Sequence, residues 1–174
     1  MMLAVEMAET WGEHASLWAI RFAMLSMVIV FAMQLSGARE VSNKVRTVWL
    51  IGAICALLHS VGALVAFHAG SHQEAFESTA QQTEELLGIA VGFGLYVNYL
   101  FVLVWLSDAL CRWLRKDFYT SLPFWYRWAV YAFLSFIAVN GTIVFKGGWI
   151  RWIGLGAIVY LVVIWGLQMR KSPR

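Results

Sequence analysis

Five stretches of this chain carry no charged side chain: 22–38, 47–73, 86–107, 128–145 and 152–169. Each is about long enough to cross a bilayer as an α-helix rising roughly 1.5 Å per residue. Polar residues inside them are isolated and do not recur once per turn, as they would on a soluble core helix. The pattern predicts membrane spans over about 17–36, 47–69, 86–113, 125–145 and 149–168. A different pattern intervenes once. Gly70 supplies a helix stop, and Ser71-His72-Gln73-Glu74 has the S-x-x-E form of a capping box. Over about 72–85, Phe76, Ala80, Thr83 and Leu87 recur at helical spacing opposite Glu77, Gln81 and Glu84, which predicts a short interfacial helix between spans 2 and 3. Lys146-Gly147-Gly148 is so short a link that spans 4 and 5 must form an antiparallel hairpin.

The expected fold is an all-α integral membrane protein, a five-transmembrane-helix bundle with that helix on the outer side. No repeat, linker or low-complexity tract divides the chain, so residues 1–174 read as one membrane domain. Composition agrees: 61% of residues are hydrophobic and only 13% charged, against about a quarter charged in ordinary soluble domains. The N-terminal MMLAVEMAETWGEH holds three glutamates and no basic residue. It lacks the basic n-region of a cleaved signal and is expected to be retained, with the first span as targeting segment.

Charge then orients the spans. With the N-terminus outside, ten Lys and Arg residues fall inside (Arg39, Lys44, Arg46, Arg112, Arg115, Lys116, Arg127, Arg170, Lys171, Arg174) and three outside (Arg21, Lys146, Arg151). That asymmetry is what the positive-inside rule requires, with the C-terminus cytoplasmic. The bacterial cytoplasmic membrane is the simplest setting. Glu6, Glu9, Glu13, Glu74, Glu77, Glu84 and Glu85 gather on the outer side. The basic residues lie in short loops beside apolar spans, so anionic lipid headgroups are their natural partner and nucleic acid is not expected. Cys55 and Cys111 form no CxxC, which argues against a disulfide framework or zinc ribbon. Arg21, one turn inside span 1, reads as a snorkelling anchor.

Three constellations could carry chemistry. His14, His68 and His72 fall on the outer side with Glu13 and Glu74 nearby. Imidazole and carboxylate suit copper, zinc or iron, so a divalent transition-metal site is expected there. His59, Asn98 and Asn140 lie at similar depths by count along their spans and could form a mid-membrane polar cluster, or simply hydrogen-bond across helices. Asp108 and Arg112, one turn apart at the inner end of span 3, are expected to form an ion pair. His59 is the sole mid-membrane histidine, which excludes a bis-histidine haem at mid-depth, and nothing supports a surface haem. No phosphate loop, GxSxG or Ser/His/Asp arrangement can be assembled, so soluble-type catalysis is not expected.

The leading functional expectation is metal binding at the outer His/carboxylate site, for metal handling or support of a redox complex. The alternative is a structural or assembly subunit of a larger membrane complex, or a self-associating one. A third is a small transporter using the His59/Asn98/Asn140 cluster, disfavoured by the lack of inverted repeats.

Overall fold

A computed structural model describes residues 2–145 and 147–171, with side chains from 11 to 145 and from 147 to 170. Lys146 and residues 172–174 lie outside it, as do the side chains of Glu6, Glu9 and Lys171, so the roles expected of these fall outside the described residues. The helices are α1 (Met2–Leu35), α2 (Asn43–His68), α3 (His72–Leu87), α4 (Gly94–Leu114), α5 (Lys116–Ser121), α6 (Phe124–Val139), continued by a π-helical turn over Asn140–Val144, and α7 (Gly148–Lys171). Among the described residues, five segments are long and apolar enough to cross a membrane: Trp11–Leu35, Asn43–His68, Gly94–Leu114, Phe124–Val144 and Gly148–Arg170.

Local chemistry sets where these helices stop. Ser42 and Ser71 have extended backbones, and their hydroxyls accept from the backbone N–H groups of Val45 (3.5 Å) and Glu74 (3.2 Å). These caps satisfy donors that a helix start leaves without a partner. Before Ser71 the chain turns through left-handed Ala69 (φ 47°) and Gly70 (φ 77°). The bond from Gly70 N–H to the Leu64 carbonyl closes the end of α2. Pro123 starts α6 and holds Leu122 extended, as a residue before proline must be. In the π-helical turn, the Asn140 amide donates to the Phe136 carbonyl and the Thr142 hydroxyl to the Ala138 carbonyl, both at 2.7 Å. The Phe145 N–H reaches back five residues to Asn140.

The third span begins later than the sequence pattern predicts. The uncharged stretch from Leu86 includes the end of α3 and a turn over 88–93, so α4 starts at Gly94. Gly88 is left-handed (φ 73°), and the Thr83 hydroxyl accepts from Val91 N–H and faces its carbonyl, each at 2.9 Å. That side chain replaces the missing helix bonds of the turn. Gly92 lies under Phe76, where an added methyl would come within 2.5 Å of the ring. A side chain there would have to displace the Phe76 ring, and hydropathy alone could not see the corner. Leu87, placed on the apolar face of α3 by its spacing, is exposed.

The core sits where α1, α2 and α4 meet, with α6 added at one side. Ala23, Met27 and Val30 of α1, Val45, Trp49, Ala53 and Ala56 of α2, and Phe101, Val102, Trp105 and Ala109 of α4 are buried, joined by Val130 and Leu134 of α6. Small residues let the axes approach. A methyl at Gly52 would stand 2.6 Å from Trp105 Cζ2 and 2.9 Å from Ser26 Cβ, and one at Gly62 would meet Ser16 Cβ at 3.3 Å. Close packing of this kind is what holds helices together in lipid, where apolar burial gives little advantage. α7 differs. It packs against α1 and the π-helical turn with a half-buried stripe, and none of its membrane window is fully buried. Gly52→Val should therefore lower unfolding stability in detergent by about 1–3 kcal/mol through overpacking. Gly166→Ala, with nothing within 4 Å of the new methyl, should leave it unchanged.

Candidate functional sites

The turn order places two distinct ends on the molecule. One carries the 36–42 loop, the starts of α2 and α6, the end of α4 and all of α5; the other carries α3 and the starts of α4 and α7.

The α5 end holds the most elaborate polar arrangement. Asp108 and Arg112 share one face of α4 because they are four residues apart, and Arg112 Nη2 lies 2.6 Å from Asp108 Oδ2 with neither side chain exposed (0% each). Trp49 on α2 donates its indole N–H to the same oxygen at 2.7 Å. Three rings surround the guanidinium: its Cζ lies 4.9 Å from the centroids of Trp49 and Tyr119 and 5.3 Å from that of Tyr131. Attraction to ring faces grows once water is removed, so this cage replaces part of the lost hydration. Gln34 of α1 donates to the Tyr131 hydroxyl at 2.7 Å, and Phe31 packs edge-on against the same ring. Arg46 reaches the Arg112 and Trp113 carbonyls at 3.4 and 3.5 Å, putting a cation on the open carbonyls at the end of α4.

Tyr119 closes this cluster from α5. It is fully buried although its neighbours Phe118 and Thr120 are exposed. Burial pushes its phenol well above the ordinary tyrosine range, against the pull of nearby Arg112. Beside it, Arg127 of α6 pairs with Glu40 of the 36–42 loop at 3.0 Å, half-exposed. Asp108 Oδ1, Arg112 Nε and Nη1 and the Tyr119 hydroxyl are buried without a hydrogen-bond partner among the described residues. Sealed in this way, the pair acts as a clamp joining α2, α4, α5 and α6. The four-residue spacing of Asp108 and Arg112 is legible in the sequence, but Trp49, Tyr131 and Gln34 carry no local signal. Tyr119 reads there as one more residue of an aromatic belt.

At the α3 end the histidines take separate environments. His72 begins α3 exposed, its ring centroid 6.1 Å from Tyr96 and 5.4 Å from Tyr99 of α4. His68 is the last residue of α2, half-buried, and its carbonyl accepts from Ser71 N–H at 2.6 Å. Three residues thus separate the two in one tight turn. His14 is exposed on α1, Glu13 half-buried and Glu74 exposed in the first turn of α3. Gly12 faces Ala66 of α2 and Ser16 faces His59. His14 lies about 200° around the helix from either residue, on the side turned from α2. No group of three His, Cys, Asp or Glu able to hold a metal ion forms among the described residues. Arg21 lies with its Cζ 4.8 Å from the Trp18 ring and 5.2 Å from that of Trp149 on α7, so it joins α1 to α7 at this end.

The three mid-membrane polar residues do not meet through any described hydrogen bond. His59 Nδ1 lies 3.0 Å from both the hydroxyl and the carbonyl of Ser16, whose hydroxyl also donates to the His59 carbonyl at 3.2 Å. Both partners of Nδ1 are acceptors in that network, which assigns the ring proton to Nδ1. Asn140 bonds its own helix at Phe136. Asn98 is exposed one turn from the start of α4, not midway along a span, because that helix begins at Gly94.

Comparison with protein families, with characterised proteins and with solved structures finds no match.

Removing one member of the buried pair should cost more than removing both. Asp108→Leu leaves a sealed guanidinium uncompensated and should lower stability by about 3–5 kcal/mol, with Asp108→Leu/Arg112→Met regaining a large part. Denaturant unfolding of the four proteins in detergent gives the coupling. A loss in the double variant equal to the sum of the two single losses would mean that the charges do not interact.

Proposed function

We propose that this chain is a non-catalytic membrane subunit that docks a transmembrane helix of a partner through α7. The observation that carries this reading is the state of α7 itself. None of its membrane window is fully buried, and it holds Tyr160 near its middle, 53% exposed and without a described hydrogen bond. Trp149, Trp152 and Trp165 stand toward the two ends of α7, where headgroups welcome amphipathic rings, so lipid accounts for them. Lipid does not account for a phenol at mid-depth, whose hydroxyl needs a partner. One turn before it Gly156 has nothing within 4 Å and leaves the backbone open to close approach. The α5 end, with nine described Lys and Arg residues against Arg21 and Arg151 at the other, faces the cytosol in this reading, and α3 lies on the outer surface.

A photo-crosslinking residue at position 156 in native membranes should give one discrete protein adduct, weakened several-fold by Tyr160→Leu. Adducts to lipid alone at position 156 would overturn the assignment.

A second reading keeps the outer histidines as a transition-metal site. His68 and His72 flank a single tight turn, with Glu74 in the turn that follows. Imidazole and carboxylate donors suit zinc, copper or iron, and ligands from the N-terminal segment or a partner would complete the set. Metal analysis of the purified protein tests it. Stoichiometric metal lost in both His68→Ala and His72→Ala supports this reading, and metal-free wild-type protein rejects it.

A further inference from the structure

The corner between α4 and α5 holds an open cleft of about 280 Å³ lined by Leu110, Cys111, Leu114, Arg115 and Phe118. Its walls are apolar side chains, and its charged member, Arg115, is the residue at which the backbone leaves α4 for α5 (φ −130°, ψ 50°). The corner exists because Tyr119 is drawn inward over Arg112, which turns α5 across the end of α4 and leaves Phe118 exposed. We infer that this cleft is a binding site for one anionic phospholipid, its acyl chain against Leu110, Leu114 and Phe118 and its phosphate on Arg115.

Charge complementarity selects this occupant. Of the four basic residues between 109 and 127, Arg112 is neutralised by Asp108 and Arg127 by Glu40. Arg115 and Lys116 are exposed and make no ion pair among the described residues, with Asp117 the one acid in that segment. The site therefore offers uncompensated positive charge at the depth of headgroups, joined to an apolar cleft at the depth of chains. A guanidinium holds a phosphate through two parallel hydrogen bonds, and the cation that a choline headgroup carries beside its phosphate offsets the attraction an anionic lipid keeps. Its lining gives a soluble anion nothing beyond Arg115. The inference uses only the α5 end and stands apart from what α7 docks against.

Cys111 borders the cleft and is half-exposed, so its thiol reports occupancy. The purified full chain is exchanged into detergent micelles carrying either phosphatidylglycerol or phosphatidylcholine. Maleimide alkylation is then followed on the Cys111 peptide by mass spectrometry. Phosphatidylglycerol at about ten times its dissociation constant should slow alkylation about tenfold, with phosphatidylcholine having little effect. Arg115→Gln should abolish that difference, and Lys44→Gln, at the same end but off the cleft, should keep it. Equal protection by both lipids, or full protection in Arg115→Gln, would overturn the inference. Protection by inorganic phosphate alone would assign the arginine to a free anion and would equally overturn it.

Discussion

The arrangement of this protein depends on keeping a salt bridge in a place that solvates charge poorly. Asp108 and Arg112 lie in the last two turns of a membrane span, and neither has any exposed surface. Such a pair is stable only if other groups take over from water. The indole N–H of Trp49 does so for the carboxylate, and three ring faces do so for the guanidinium. Each of those rings comes from a different element, so solvating one ion pair fixes how α2, α5 and α6 pack on α4. The neighbouring Glu40–Arg127 bridge and the Gln34–Tyr131 bond extend the same junction to α1 and its loop.

Between the two ends the molecule relies on close backbone approach. Gly52 and Gly62 on α2 and Ser16 and Ser26 on α1 let these helices and α4 approach where longer side chains would hold them apart. Ser16 then serves twice, since the closeness that its small side chain permits also brings its hydroxyl to His59. A mid-span histidine is in this way accounted for by a neighbouring helix. Dispersion and a few directed bonds do here what the hydrophobic effect does in water.

Residue types that act locally could be read directly. The number of spans follows from gaps between charges, and the Ser71–Glu74 cap and the stop at Gly70 are properties of four or five consecutive residues. Features that join distant positions could not. Trp49 and Asp108 are 59 residues apart, and nothing near either one announces the bond. The depth assigned to Asn98 depended on where span 3 begins. Hydropathy put that at Leu86 because Ile89, Val91 and Phe93 are apolar, whereas the bonds from Thr83 to Val91 hold those residues in a turn. An apolar run at a membrane surface does not by itself say where its helix starts. Position around a helix matters as well as depth: His14 shares an end with His72 but faces away from α2.

The uneven attachment of the helices also bears on how the chain is made. Ribosomes release the N-terminal part first, and the tightly packed trio α1, α2 and α4 is complete by Leu114. Tyr119 and Tyr131 emerge within the next two dozen residues, early enough to enclose the guanidinium before the last span exists. α7 then joins a finished core, with Arg21 between Trp18 and Trp149 at its base. Without a single fully buried residue in its span, α7 joins that core without disturbing what was folded before it.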